Sequence, residues 1–144
     1  MVQPTHFLLF FIDAPGGTGK TFVLHTIAAY LHAKGKVVLA NASSGTVAVL
    51  FTGGRTSHAR FNICLKHFPD TDCAVTARSD SGKAIIASDM IIWDEGPMIS
   101  KTFMASVDRL LQNLMSNTKC FGVKVMVFSG DFRQCLPIIF RQGR

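Results

Sequence analysis

Residues Ala14–Thr21 read APGGTGKT, and they follow an apolar run, Phe7–Ile12, and precede a run of helical character. A strand, a glycine-rich turn and a helix that opens with Lys-Thr are typical of a phosphate-binding loop. Glycines let the backbone turn so that several N–H groups point at one anion, and the helix adds the positive end of its dipole. We therefore expect this stretch to bind the phosphates of a nucleoside triphosphate.

Two side chains of the loop carry most of its predicted chemistry. Lys20 can reach the β- and γ-phosphates, and the Thr21 hydroxyl can ligate Mg²⁺. The predicted nucleotide site consists of Ala14, Pro15, Gly16, Gly17, Thr18, Gly19, Lys20 and Thr21. The alternative is a glycine-rich turn followed by a chance Lys-Thr pair. The loop alone leaves kinases, GTPases, other ATPases and motor proteins open.

A second segment, Met90–Glu95, reads MIIWDE and narrows this choice. An unbroken apolar run suits a central parallel strand that is covered on both faces, and such strands end at the ligand crevice. We expect Asp94 to hold Mg²⁺ through water, because Mg²⁺ keeps much of its hydration shell. Glu95, the sole glutamate of the chain, is predicted to orient and deprotonate the attacking water. The alternative is a strand end with two solvated acids.

The third segment, Val123–Pro137, reads VKVMVFSGDFRQCLP. Its apolar part, Val123–Phe128, predicts a strand that runs into a polar turn. We expect Ser129, Asp131 and Gln134 to lie near the γ-phosphate, where a glutamine can sense that phosphate or position water. A Gly-Asp turn after a strand is common, so this segment gains its meaning from its place after the other two.

Four segments together carry a resemblance to a known family: APGGTGKT, ASSGTVAVLFTGGRTSHARFNI (Ala42–Ile63), IIWDEGPM (Ile91–Met98) and SGDFRQCLPI (Ser129–Ile138). The chain resembles the Pif-type DNA helicases of superfamily 1, which move 5′ to 3′ on single-stranded DNA, and the related helicase part of Helitron transposons. The resemblance implies a RecA-like P-loop NTPase lobe of the α/β class, with a parallel sheet flanked by helices. It implies ATP and Mg²⁺ as cofactors, Lys20, Asp94, Glu95 and Gln134 as catalytic residues, and Thr21 and Asp94 as metal ligands.

The chain departs from the family pattern at four positions. Ala14 stands where the family usually has Gly, and Gly96 replaces the usual Ala after the two acids. Ser129 replaces a Gly, and Cys64 stands where a Pro normally follows. None of these departures removes a group with a chemical role.

The segment Ala42–Ile63 is rich in short hydrogen-bond donors and is flanked by Arg55 and Arg60. Hydroxyls, backbone N–H groups and arginines suit contacts to phosphate oxygens without reading sequence. In the family this region lines the track of single-stranded DNA, and the matching positions are Ser43, Ser44, Thr56 and His58. The alternative is a short core helix, Thr46–Phe51, and an ordinary polar turn, Gly53–Ser57. Phe61 could stack on a base, although apolar aromatics mostly lie in cores.

The resemblance implies the motor lobe of an ATP-dependent DNA helicase, with roles in DNA repair, recombination and telomere maintenance. The expected location is intracellular and nuclear, with the mitochondrion as an alternative. A superfamily 1 helicase has two RecA-like lobes, so we expect residues 1–144 to be the first lobe without the second. The chain would then be a fragment, a partial gene product or a truncated transposon copy. Two other functions stay open: a nucleotide-binding fragment without turnover, and a small P-loop kinase.

Composition fits one domain of 144 residues with a substantial core, since 48% of its residues are apolar. A net charge of +6 and a pI near 9.5 are compatible with a nucleic-acid partner. The 15 Lys and Arg are dispersed, however, so an ordinary solvated surface explains the charge equally well. The four cysteines lack the paired spacing of a metal site and suggest free thiols in a reducing compartment. Phe7–Ile12 is too short to span a membrane.

Hydrophobic periodicity predicts alternating strands and helices. The predicted strands are Phe7–Ile12, Lys36–Ala40, Met90–Trp93 and Val123–Phe128. The predicted helices are Gly19–Lys34, Val47–Phe51, Gly82–Ala87 and Lys101–Met115, the last capped by Ser100. Asn62–Asp80 is predicted to be a loop-rich excursion. By analogy with RecA-like ATPases, Val123–Phe128 should lie between the strands that lead to the phosphate loop and to Asp94.

Overall fold

The computed structural model of the chain describes residues 8–42, 45–48, 51, 53–62, 74–96 and 99–134. Strands and helices alternate along this part of the chain, as predicted. The strands are β1 (Leu9–Asp13), β2 (Val38–Ala42), β3 (Arg55–Thr56), β4 (Met90–Asp94) and β5 (Val125–Gly130). The helices are α1 (Lys20–Ala33), α2 (Gly45–Ala48), α3 (Ser57–Phe61), α4 (Asp80–Ala87) and α5 (Lys101–Leu114). Short 3-10 turns at Cys120–Val123 and Phe132–Gln134 flank β5.

The strands form one parallel sheet in the order β1-β5-β4-β2-β3. β5 therefore lies between β1 and β4, which confirms the predicted position of the strand at Val123–Phe128. The register pairs Trp93 with Phe128 and Ile12 with Ser129. Because parallel strands end at one edge, the carboxyl ends of β1, β4 and β5 meet where ligands bind in such sheets.

Helix α5 covers one face of the sheet. The Ser100 hydroxyl caps this helix by accepting the backbone N–H of Phe103 at 3.2 Å, as predicted. Four apolar residues of this helix are buried and a fifth is packed against them: Phe103, Val107, Leu110, Leu111 and Leu114. Trp93 of β4 is fully buried on this side, with its ring against Phe61 and Phe128. Phe61 is thus a core residue, and the idea that it stacks on a base is wrong.

Helix α1 covers the other face and buries Leu24 against a set of strand residues: Val38, Ala40, Ile92 and Val127. Phe22 and Val23 of this helix are exposed, because they lie on the flanks and back of the helix relative to Leu24. At the sheet's outer edge, β1 leaves Phe10 and Phe11 exposed as well. The α1 face of the sheet therefore has the smaller core.

β2 and β5 each begin two residues later than predicted, and hydrogen bonds from distant residues hold the backbone just before each of them. The Asp89 carboxylate accepts the backbone N–H of Val37 at 2.8 Å, and β2 begins after this contact. Before β5, the Asp108 carboxylate accepts the backbone N–H of Phe121 at 2.6 Å. Phe121 and Val123 have positive φ angles, so β5 starts two residues later than predicted.

The region after β2 also differs from prediction. The helix predicted at Val47–Phe51 appears earlier, as α2, and Phe51 is buried after it. The turn considered for Gly53–Ser57 contains β3 and leads into α3, neither of which was predicted. None of the helices in the described ranges has the length and apolar content needed to span a bilayer. Cys120 is a free, exposed thiol, and the other three cysteines lie outside the described residues.

Candidate functional site

The phosphate loop connects the end of β1 to the start of α1. Gly17 and Gly19 have φ angles of 76° and 91°, in the left-handed region that side chains rarely adopt. At Gly16, a Cβ atom would lie 3.1 Å from Nε2 of Gln134, which places the end of that side chain close to the loop. Gly17 and Gly19 thus permit the tight turn, and the Gln134 side chain lies beside Gly16.

The Lys20 ammonium group lies against its own loop. Its Nζ donates to the carbonyl oxygens of Ala14 at 2.5 Å and Pro15 at 2.8 Å. The Thr18 hydroxyl donates to the same Pro15 carbonyl at 2.6 Å. Charge-assisted bonds to phosphate oxygens are stronger than bonds to neutral carbonyls. Lys20 is therefore placed where it can exchange these carbonyls for an anion bound at the loop.

Asp94 lies at the carboxyl end of β4 and is only 3% exposed. The Thr21 hydroxyl donates to its Oδ2 at 3.2 Å. Its Oδ1 accepts the backbone N–H of Glu95 at 3.0 Å and also the Ser129 hydroxyl. The structure thus brings Thr21 and Asp94 together across 73 positions of sequence. Ser129, expected near the γ-phosphate, binds the carboxylate instead.

Glu95 turns the chain sharply at the end of β4. Its φ angle is 57°, which is uncommon for a residue other than glycine and is often found at functional sites. The side chain is half-buried. Gly96 follows, and a Cβ atom there would lie 3.3 Å from Cδ1 of Phe128. The alanine usual at that position would press on this ring, which gives a physical reason for the glycine.

Asp131 joins the turn after β5 to the phosphate loop. Its carboxylate accepts the backbone N–H and the Nε–H of Arg133 at 3.0 and 3.1 Å. Burial alone would raise the pKa of Asp131, but hydrogen bonds from Arg133 and from the Gly16 backbone lower it below its usual value. Asp131 thus holds the 3-10 turn Phe132–Gln134, with its exposed Gln134, beside the phosphate loop.

Oxygen atoms around Asp94 suit a hard cation. Thr21 and Asp94 supply a hydroxyl and a carboxylate within hydrogen-bond distance of each other, and Mg²⁺ prefers such ligands together with water and phosphate. In the described part of the chain, His, Cys, Asp and Glu form no group of three or more that could hold a metal alone. The residues therefore fit a Mg²⁺ ion that arrives with a nucleotide.

The residues predicted to contact DNA are only partly described. Ser43 and Ser44 lie outside the described residues. Thr56 pairs with Ala42, and Ala42 pairs with Asp94, so Thr56 lies at the same sheet edge as the acid. The Thr56 hydroxyl caps α3 by accepting the backbone N–H of Ala59 at 3.3 Å.

His58 is the second residue of α3, and the centre of its ring lies 4.8 Å from that of Phe103. Arg60 is buried, which rules out the contact to phosphate that its flanking position suggested. Its Nε donates to Oδ1 of Asn41 at 2.9 Å, and its Nη2 donates to the carbonyl of Gly53 at 3.0 Å. Burial and the nearby charge of Arg55 lower the pKa of Arg60.

Comparisons with known proteins show which family the chain is similar to. A family model described as PIF1-like helicase matches residues 2–144. The chain is 30% identical over 129 residues to ATP-dependent DNA helicase PIF1 of Rattus norvegicus. It is 29% identical over 130 residues to ATP-dependent DNA helicase Pif1 of Psychrobacter sp. (strain PRwf-1). Each alignment covers 89% of this chain and 20% of the relative, so the chain spans about one fifth of these relatives.

Solved structures give the same result. The crystal structure of Pif1 helicase from Bacteroides in complex with ADP-AlF3 and ssDNA superposes with a TM-score of 0.75 at 25% identity. That superposition covers 94% of this chain and 31% of the other. The parallel α/β sheet of this chain is therefore a RecA-like fold of the kind found in these helicases.

Proposed function

Since the chain belongs to the PIF1-like helicase family, we propose that residues 1–144 form the first RecA-like lobe of an ATP-dependent DNA helicase. This lobe binds and hydrolyses ATP with Mg²⁺, and the whole protein moves 5′ to 3′ on single-stranded DNA and unwinds DNA. The observation that supports this best is the hydrogen bond from Thr21 to the buried Asp94. That contact joins the phosphate loop to the acidic strand end, as metal-dependent nucleotide hydrolysis requires.

Each residue of the site has a distinct role in this proposal. The loop N–H groups and Lys20 bind the β- and γ-phosphates and fix their orientation. Thr21 and Asp94 would hold Mg²⁺, which neutralises charge on the phosphate oxygens when it is bound. Glu95 accepts the proton of the attacking water. Gln134, beside Gly16, contacts the γ-phosphate or that water.

Single-stranded DNA is the proposed partner. Thr56 lies at the sheet edge that carries Asp94, and His58 follows it on α3. We propose that these residues, with Ser43 and Ser44, contact the phosphates of the strand. A second lobe would complete the DNA track and supply an arginine to the transition state, which contributes roughly 10³–10⁵-fold in rate in related NTPases. The isolated lobe should therefore turn over slowly.

The proposed biological setting is that of a DNA helicase, as the names of the relatives indicate. We propose roles in DNA repair, recombination and telomere maintenance. The proposed location is the nucleus, with the mitochondrion as the alternative.

Binding calorimetry tests the nucleotide site directly. Lys20→Ala should weaken Mg·ATP binding about tenfold or more and leave adenosine binding unchanged, because the lost bonds are to charged phosphates. Lys34→Ala is the matched control, since Lys34 lies at the other end of α1, with its Nζ 5.0 Å from the Tyr30 ring centre. Equal losses for ATP and adenosine would contradict the assignment of Lys20.

A further inference from the structure

Ser129 is a fully buried residue of β5. It pairs with Ile12 of β1, one position beyond the pair of Phe128 with Trp93. This register places Ser129 level with Asp94, between the strand that leads to the phosphate loop and the strand that ends in the acid. Its hydroxyl donates to Oδ1 of Asp94.

The two oxygens of the Asp94 carboxylate face different parts of the molecule. Oδ1 is held by the Ser129 hydroxyl and the Glu95 backbone N–H, both fixed to the sheet. Oδ2 accepts the Thr21 hydroxyl at 3.2 Å, from the first turn of α1. The carboxylate torsion of aspartate is broad, so a single backbone donor leaves more freedom of rotation. Two donors on Oδ1 fix the plane and keep Oδ2 directed at Thr21.

We infer that Ser129 is a positioning residue whose hydroxyl aims Oδ2 of Asp94 at the Mg²⁺ that accompanies ATP. The inference rests on the proposed function. Glycine, the usual residue at this position among the helicases the chain resembles, has no hydroxyl and could not supply this bond. A charge-assisted O–H···O⁻ bond is about twice as strong as a neutral one. This chain therefore orients its acidic ligand through a side chain that the usual pattern lacks.

The experiment compares ATP binding to the full chain with Mg²⁺ present and with Mg²⁺ removed by EDTA, by calorimetry. Ser129→Ala keeps the Cβ atom and removes only the hydroxyl, and Ser129→Gly introduces the usual family residue. Both variants should bind Mg·ATP about tenfold more weakly, as expected for the loss of one hydrogen bond to a charged group. Metal-free ATP binding should stay within about twofold of wild type, because Lys20 and the loop carry it.

Ser88→Ala is the matched control. Ser88 is 4% exposed, and its hydroxyl donates to the Ile85 carbonyl at 2.7 Å. It precedes β4 and so lies at the opposite end of the strand that carries Asp94. Its loss removes a buried serine hydroxyl far from the site, and the ratio of metal-bound to metal-free affinity should stay at the wild-type value.

Each other outcome overturns the inference in a recognisable way. Ser129→Ala that loses both affinities equally, with a lowered melting temperature, would show that the hydroxyl only stabilises the fold. Wild-type affinities in both conditions would show that Asp94 needs no such help. A wild-type chain that binds no ATP in either condition would overturn the proposed function itself, and that result needs no variant.

Discussion

Two polar regions lie at the same carboxyl edge of the sheet, and they use their side chains differently. At the nucleotide site, Thr21 makes one hydrogen bond and Lys20 makes two, and a cation or a phosphate can replace these partners. Beside β3, polar side chains hold the fold: the Thr56 hydroxyl caps α3 by accepting the Ala59 N–H, and Arg60 donates to Asn41 and to the Gly53 carbonyl. A polar side chain at the carboxyl edge of the sheet can thus bind a ligand only if the ligand can replace its hydrogen bonds within the protein.

The largest expected effect is on catalysis, at Glu95. In a longer protein that joins this lobe to a second RecA-like lobe, Glu95→Gln should lower kcat about 10²–10⁴-fold and spare ATP affinity, because glutamine keeps the shape and loses the base. A multiple-turnover ATPase assay with single-stranded DNA measures this. Asp80→Asn, a fully exposed acid on α4, is the control. A Glu95→Gln variant at the parental rate would refute the base assignment.

The next effect is on stability, at Arg60. Arg60→Met should lower the free energy of unfolding by about 3 kcal/mol, because it strands buried acceptors on Asn41 and Gly53. Urea denaturation measures the loss. Arg55→Met, at an exposed arginine of β3, should change stability by no more than about 0.5 kcal/mol. Similar small effects of both substitutions would show that Arg60 does not hold the fold.

A smaller effect is expected on DNA binding. The wild-type lobe should bind single strands no tighter than about micromolar, with steep salt dependence and no sequence preference. Replacing both Thr56 and His58 with Ala should lower the affinity for every oligonucleotide by about the same factor, a few-fold, and leave ATP affinity intact. Fluorescence anisotropy at low salt measures this. Equal binding by wild type and the double variant would remove these residues from the track.

The cap on α3 complicates that variant, so a control for capping is needed. Thr56→Ala removes an N-cap, which costs roughly 1 kcal/mol of stability. Ser79→Ala removes the corresponding cap of α4, where the Ser79 hydroxyl accepts the Gly82 N–H at 3.1 Å, and it should not change DNA affinity.

Much of the fold was predictable because its signals are local. Unbroken apolar runs predicted β1, β4 and β5, and Ser100 marked the start of α5. The phosphate loop was predictable for the same reason. Phosphate binding depends on a local backbone conformation that glycines permit between a strand and a helix. The order of the central strands came from the analogy with RecA-like ATPases, and the sheet confirms it.

The remaining features depend on contacts between distant residues. α3 is only five residues long, too short for a periodic signal, and it is held by Arg60 and the Thr56 cap. Phe121 has a positive φ angle although it is not a glycine, so its sequence does not predict this backbone conformation. The angle occurs where the Asp108 carboxylate accepts the backbone N–H of Phe121. The bond from Ser129 to Asp94 spans 35 positions. Sequence placed both residues at strand ends, but only the register shows that they meet.

The smallest expected effect is on stability, at Asp131. This residue lies at the nucleotide site, but its hydrogen bonds stabilise the fold. Because its folded pKa lies below the usual 3.8, its carboxylate stabilises the fold at pH values above 3.8, and this stabilisation is lost as pH falls through the folded pKa. Asp131→Asn should therefore lower the melting temperature slightly at pH 7, and the difference from wild type should shrink below pH 3.8. Thermal denaturation from pH 7 to pH 3 measures this difference.

Arg133 is the partner that tests the cause. In an Arg133→Gln background, Asp131→Asn should change stability less and with a weaker pH dependence, because the ion pair at 3.1 Å is already gone. The backbone N–H groups of residue 133 and of Gly16 would remain as donors, so part of the effect should persist. A difference that stays constant with pH in both backgrounds would mean that the Asp131 charge does not fasten the Gln134 turn to the loop. Asp131 would then not belong to the residues of the nucleotide site whose hydrogen bonds stabilise the fold.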